Sequence, residues 1–144
     1  MAKDMLTSEN IELGVALETK EEAIQYVGNL LQKNGYVEDT YVDKMLEREE
    51  VTSTYIGNQV AIPHGTEDAK QAVNETGLAV VTVPEGVDFG GNSTHIIIGI
   101  AGKGDEHLEI LSNIALVCAD EANIEKMKQA DSKEAILDIL GGVQ

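Results

Sequence analysis

Three histidines and a single arginine are the scarce reactive groups of this 144-residue chain. His64 lies in Val60-Ala-Ile-Pro-His-Gly65, where a short apolar run ends in a proline and a glycine follows. Pro63 restricts its own φ, and Gly65 tolerates backbone angles that other residues avoid, so the imidazole between them stands on a stiff stem at a strand terminus. Neutral imidazole is a good nucleophile, and its ordinary pKa near 6.5 leaves it mostly neutral at cellular pH. From Val51 to Thr66 the chain has hydroxyls, amides and glycines but no Asp, Glu, Lys or Arg. An anion carried on His64 meets neutral donors there rather than repulsion, and a phosphoryl group is the anion such a site suits. Spacing alone leaves a second reading open, a turn histidine with no chemical role.

Arg48, the only arginine, stands just before this uncharged window in Glu47-Arg-Glu-Glu50. A solvated helix face with local ion pairs is the usual reading of such a charge run. A planar guanidinium is also the group that grips phosphate through two parallel hydrogen bonds. His107 follows Gly102-Lys-Gly-Asp-Glu at the predicted start of a helix, where exposed N–H groups favour an anion and keep an imidazole neutral. It is read either as a polar helix-start residue or as a partner of His64 on a common strand-end rim. His95 opens an apolar strand and is read as structural, and Cys118 falls on an apolar helix stripe and is read as core. No paired-ligand spacing supports a metal site, and no Gly-Lys-Ser/Thr phosphate loop supports direct use of ATP, so neither metal nor cofactor is expected.

The elements that must position these groups follow from periodicity. Ile11, Leu13, Val15 and Leu17 alternate as in a strand. Thr19-Lys-Glu-Glu22 has the form of a capping box opening a helix through Leu30 and Leu31, with Asn34-Gly35 as its stop. A second helix is expected from Glu38 to about Glu50, with Tyr41, Val42, Met45 and Leu46 as its apolar stripe. Val60-Ala-Ile62 reads as a short strand, and Glu67 to Val73 as two helical turns. Gly77 to Val83 and His95 to Ala101 are nearly continuous Val/Ile-rich runs, the pattern of strands covered on both faces, with Pro84-Glu-Gly86 as the turn between them. Asp105 is placed to cap a long helix burying Leu108, Leu111, Ile114, Ala115 and Cys118. Helices from Asp120 to Ala130 and from Ser132 to Leu140, the latter stopped by Gly141-Gly142, complete the chain. Strands interleaved with helices predict a single-domain α/β layered fold over residues 1–144, with a mixed, mainly parallel central sheet flanked by helices.

Ten basic against 26 acidic side chains leave a formal charge of −16. That balance excludes a nucleic-acid binder working through a basic surface and a polybasic membrane anchor. A hydrophobic content of 42% supports a packed core, which must be aliphatic because Trp is absent and Phe89 is the only Phe. The single cysteine allows no internal disulfide. With no secretory leader and no apolar span, the expectation is a cytoplasmic protein without membrane insertion.

The separated blocks Thr52-Ser-Thr-Tyr-Ile-Gly57, Val60-Ala-Ile-Pro-His-Gly-Thr66 and Ala69-Lys70 together resemble the active-site segment of enzyme IIA proteins of the bacterial phosphotransferase system. Pro84-Glu-Gly-Val-Asp-Phe89 and Ile98-Gly-Ile-Ala101, followed by Glu106-His107, look like its mannitol branch, and the resemblance runs from about Leu6 to Leu140. It implies a phosphoryl carrier between the phosphocarrier protein HPr and a cysteine of the IIB domain of a mannitol permease. His64 then matches the histidine phosphorylated on Nε2. His107 matches a second active-site histidine that hydrogen-bonds the phosphoryl group, and Arg48 an arginine that offsets its charge. Some relatives have a carboxylate at the position of Asn58, so the resemblance assigns that amide no role. Two alternatives stay open: a IIA-like regulator whose phosphorylation state controls a protein partner, and a metal or small-anion binder.

Overall fold

The computed structural model describes residues 5–104 and 106–140. Asp105 and the Gly141-Gly142 stop therefore lie outside the described residues. Five strands form one sheet: β1 (Ile11–Glu12), β2 (Tyr55–Gly57), β3 (Val60–Ala61), β4 (Gly77–Phe89) and β5 (Asn92–Ala101), in the order β1-β4-β5-β3-β2. The sheet is mixed as expected but not mainly parallel. The β1–β4 and β3–β5 pairs are parallel over two residues each, whereas β2–β3 and the long central β4–β5 pair are antiparallel, because a tight reversal joins β4 directly to β5. Helices α1 (Lys20–Lys33) and α2 (Thr40–Val51) cover one face, and α3 (Glu106–Cys118), α4 (Glu121–Lys128) and α5 (Lys133–Leu140) cover the other.

The two central strands show why both faces must be covered. Ala79, Val81 and Val83 of β4, with Ile97 and Ala101 of β5, pack against α1 and α2. The alternate residues Leu78, Val80, Ile96, Ile98 and Ile100 pack against α3, α4 and α5. With side chains alternating across a strand, a run apolar at nearly every position can sit only between two apolar layers. Burying such residues stabilises the fold by roughly 1.5–3 kcal/mol per Val, Leu or Ile.

Helix α1 starts as its sequence requires, with Thr19 Oγ1 accepting from the Glu22 N–H at 3.1 Å. The return bond from Glu22 reaches the Glu18 N–H rather than that of Thr19. The first strand is shorter than its alternation predicts. Gly14 takes φ +68°, which ends the ladder, and the Gly14 and Val15 N–H groups bond to Thr82 instead.

Pro84-Glu-Gly86 is not the turn of the β4–β5 hairpin. Thr82 pairs with Ile96 and Val87 with Thr94, so four residues of β4 stand opposite His95 alone. Pro84 has no N–H to give the ladder, and the strand bulges outward around it. The reversal lies at Gly90-Gly91, both at positive φ, between the paired Phe89 and Asn92. The stripe of α3 is also rotated from its expected position. Ile110, Ile114 and Cys118 are buried, whereas Leu108 and Ala115 face outward. This helix is apolar on more than one side, so periodicity alone could not select the buried face.

Candidate active site

His64 stands where β3 runs out. Ile62 N–H donates to Thr54 O at 3.0 Å, Ile100 N–H donates to Pro63 O at 2.9 Å, and His64 forms a parallel bridge with Ile100 near the end of β5. Because β3 and β5 are parallel, their C-terminal ends lie at the same edge of the sheet. The chain leaving β5 passes Gly102 and Gly104, the latter at φ +65°, and enters α3, whose second residue is His107. That topology brings two histidines 43 positions apart in sequence to ring centroids 5.0 Å apart, tilted by 58°. The approach needs Gly102, since a Cβ there would lie 2.4 Å from the His107 Cα.

The His64 ring is buried, and its Nδ1 lies 2.8 Å from the Ile62 carbonyl oxygen. A carbonyl can only accept, so Nδ1 carries the proton and the lone pair resides on Nε2. Burial pushes the His64 pKa below the ordinary 6.5, with the Arg48 charge acting the same way. The bond to Ile62 and the Glu49 carboxylate pull in the opposite direction. The result is a neutral imidazole with a defined nucleophilic nitrogen.

Arg48, in the last turn of α2, donates from Nη1 to Thr52 O at 2.8 Å. Among the described residues it makes no ion pair, so the local-pairing reading of Glu47-Arg-Glu-Glu50 does not hold. Arg48, His64 and His107 line one cavity of about 370 Å³ together with Lys70, Thr66 and Tyr41. No described residue lining it is acidic, in a chain with 26 carboxylates. Val51 and Leu108 also line it and are 74% and 67% exposed, so the site is rimmed by uncovered apolar side chains.

Tyr41 is a site residue that periodicity assigned only to the apolar stripe. Its hydroxyl donates to Ile100 O at 2.8 Å and accepts from Gly65 N–H at 2.9 Å, tying α2 to both strand ends beside His64. Burial pushes its pKa up to about 12. The signal was present, since a tyrosine on a buried stripe needs a partner for its hydroxyl. Asn58 and His95 lie elsewhere. Asn58 takes φ +50° in the β2–β3 turn and donates from Nδ2 to Cys118 O at 2.9 Å. His95 Nδ1 donates to Val83 O at 3.0 Å, closing the bulge. Cys118 is buried as read, which pushes its thiol up to about 11.

A buried neutral histidine beside a guanidinium and a second imidazole can accept and release a compact, highly charged electrophile. Residues 4–142 match the family described as phosphoenolpyruvate-dependent sugar phosphotransferase system, EIIA 2. The chain belongs to this family. The EIIA chain is 56% identical over 144 residues to the mannitol-specific phosphotransferase enzyme IIA component of Geobacillus stearothermophilus, covering 99% of each. Its fold superposes on the crystal structure of IIA mannitol from Escherichia coli with a TM-score of 0.88 and 42% identity, covering 94% of this chain and 98% of that one. It superposes equally well, at 0.88 and 40% identity over 95% and 97%, on the NMR complex of enzyme IIAMTL and phosphorylated enzyme IIBMTL from Escherichia coli. No described helix of this EIIA chain is long and apolar enough to cross a membrane.

Proposed function

We propose that this EIIA chain is a phosphoryl carrier in mannitol uptake, acting in the cytoplasm as one EIIA domain over residues 1–144. His64 Nε2 attacks the phosphorus of phosphohistidine on HPr. A new N–P bond forms, and the old one breaks with its electron pair returning to the HPr imidazole. The thiolate of the IIB cysteine then attacks the same phosphorus, and His64 leaves with its Nε2 lone pair restored. Neither step changes the proton on His64 Nδ1, because the Ile62 carbonyl holds it throughout.

Little covalent chemistry is required of the other residues, so catalysis rests on positioning and charge. Arg48 offsets the charge of the transferring group, and His107 hydrogen-bonds it from the start of α3, where the helix N-terminus also favours an anion. The absence of carboxylates among the described residues lining the cavity suits an anionic cargo. The surrounding acidity, −16 over the chain, favours partners with basic rims. The observation that carries the reading is the His64 Nδ1 bond to Ile62, which frees Nε2, at 5.0 Å between ring centroids from His107.

The test is incubation with phospho-HPr, followed by a mannitol IIB and its permease. One acid-labile phosphoryl group per chain and restored mannitol phosphorylation are expected. Equal labelling of His64→Ala would overturn the assignment. Labelling of wild type without support of mannitol phosphorylation would point to a regulator instead.

A further inference from the structure

Glu49 is a carboxylate that the phosphoryl-transfer mechanism does not use and that the fold has buried. Its place follows from the period of α2, where Tyr41, Val42, Met45 and Glu49 are the buried positions, so it occupies a core position on an apolar stripe. Only 5% of the residue is exposed. Burying a carboxylate is costly unless its oxygens find donors. Oε1 accepts from both the N–H and the hydroxyl of Thr54, at 3.0 and 2.6 Å. Oε2 is buried without a hydrogen-bond partner among the described residues, with Lys20 Nζ of α1 4.0 Å away.

Thr54 is itself buried and connects directly to the reactive histidine. Its carbonyl accepts from Ile62 N–H at 3.0 Å, and the Ile62 carbonyl accepts from His64 Nδ1 at 2.8 Å. The same turn is gripped from its other end by Arg48, which donates to Thr52 O. Two adjacent residues of α2 therefore clamp residues 52–54, one through a guanidinium and one through a carboxylate.

We infer that Glu49 is a positioning residue for His64, acting through Thr54 and Ile62 to hold the imidazole in place with its proton on Nδ1. This rests on His64 being the phosphoryl acceptor. The arrangement has a physical rationale. Hydrogen bonds to an ionised acceptor are roughly twice as strong as neutral ones, and the hydrogen bond made by one imidazole nitrogen sets which nitrogen carries the proton. A carboxylate at this position also counters the Arg48 charge felt by His64 while standing outside the cavity where the phosphoryl group arrives. The charged and titratable groups around the pair are Lys20, Glu21 and Glu50 beside Glu49, and Tyr41, Arg48, Lys70 and His107 beside His64.

The experiment compares wild type with Glu49→Gln, which keeps an oxygen facing Thr54 and removes the charge. Phosphorylation by phospho-HPr, and the ¹⁵N shifts and pH titration of the His64 ring, are measured on the whole chain. Expected are labelling still confined to His64 and a maximal transfer rate reduced about tenfold, in the range that loss of a supporting partner costs. The Michaelis constant for phospho-HPr should stay within about twofold, because Glu49 is buried and does not line the cavity. The His64 midpoint should move to lower pH. A folded Glu49→Gln protein with wild-type rate, ring shifts and midpoint would overturn the inference. Should that variant not fold, Thr54→Val decides by the same readings, with about threefold slower transfer and a weakened Nδ1–H bias expected. Wild-type behaviour of Thr54→Val would then overturn it. Failure of labelling at His64 in the wild type is a separate outcome that sinks the acceptor assignment itself.

Discussion

His64 and His95 are locked in the same way and sit in different chemistry. Each directs Nδ1 at a backbone carbonyl, Ile62 at 2.8 Å and Val83 at 3.0 Å, so each carries its proton there. The His64 ring lies beside His107 and shares a cavity with Arg48 and Lys70. The Nε2 of His95 instead faces the Ser93 hydroxyl at 3.4 Å, and the nearby Lys128 is engaged by Gln59 at 2.8 Å and Glu125 at 3.7 Å. On the proposed reading, a fixed tautomer is therefore not enough to make an acceptor. What separates the two is the edge of the sheet they occupy: His64 at the end of parallel β3, facing the start of α3, His95 in a bulge opposite Pro84.

The largest effect that would break this contrast is at the two histidines themselves. His64→Ala should abolish acid-labile labelling by phospho-HPr, whereas His95→Ala should retain full stoichiometry. Labelling counted per chain checks both. Next come the groups only His64 possesses. His107→Ala and Arg48→Ala should each slow transfer by about 10²–10³, the typical loss for one preorganised donor to developing charge. Rapid-quench kinetics measures this, and Arg48→Lys should recover only part of the loss, because an ammonium lacks the planar fork.

Tyr41→Phe sharpens the contrast through stability. It leaves the Gly65 N–H and the Ile100 carbonyl without their hydroxyl partner, a loss of about 1–3 kcal/mol. Thermal unfolding should fall by about 2–4 °C for each kcal/mol. A further test is pH. Folding holds the His64 pKa below 6.5, so the unfolded chain takes up this proton first as the solution is acidified. The resulting penalty is absent above the ordinary pKa, grows as pH falls through it, and levels off below the depressed folded-state value. His64→Gln should flatten that segment of the stability curve, as read by denaturant titration between about pH 5 and 7.5. The smallest effect is at the bulge, where His95→Ala should cost about 1 kcal/mol, with chemical-shift changes confined to residues near Val83 and Pro84.

Much of the candidate site was legible before the fold. Pro63 and Gly65 flank His64, the only arginine precedes the uncharged window, and His107 follows a strand end. All three residues line one cavity. Tyr41 and Glu49 were hidden because an apolar stripe absorbs a tyrosine and a charge run disguises a carboxylate. Yet their helical spacing from Met45 placed both on the buried face.

Local chemistry determined the five helices, where α1 is capped, and that the Val/Ile-rich runs of β4 and β5 must lie between two apolar layers. Those properties depend on side-chain period and backbone preference within a few residues. Tertiary structure alone decided that β3 pairs with β5 in parallel, which puts His64 and His107 side by side across 43 positions. It also decided that Pro84 bulges rather than turns, that Leu108 faces out at the cavity mouth, and that Glu49 reaches His64 through Thr54. Strand pairing, helix rotation and burial of a charge are set by which surfaces meet, and no local window contains both partners.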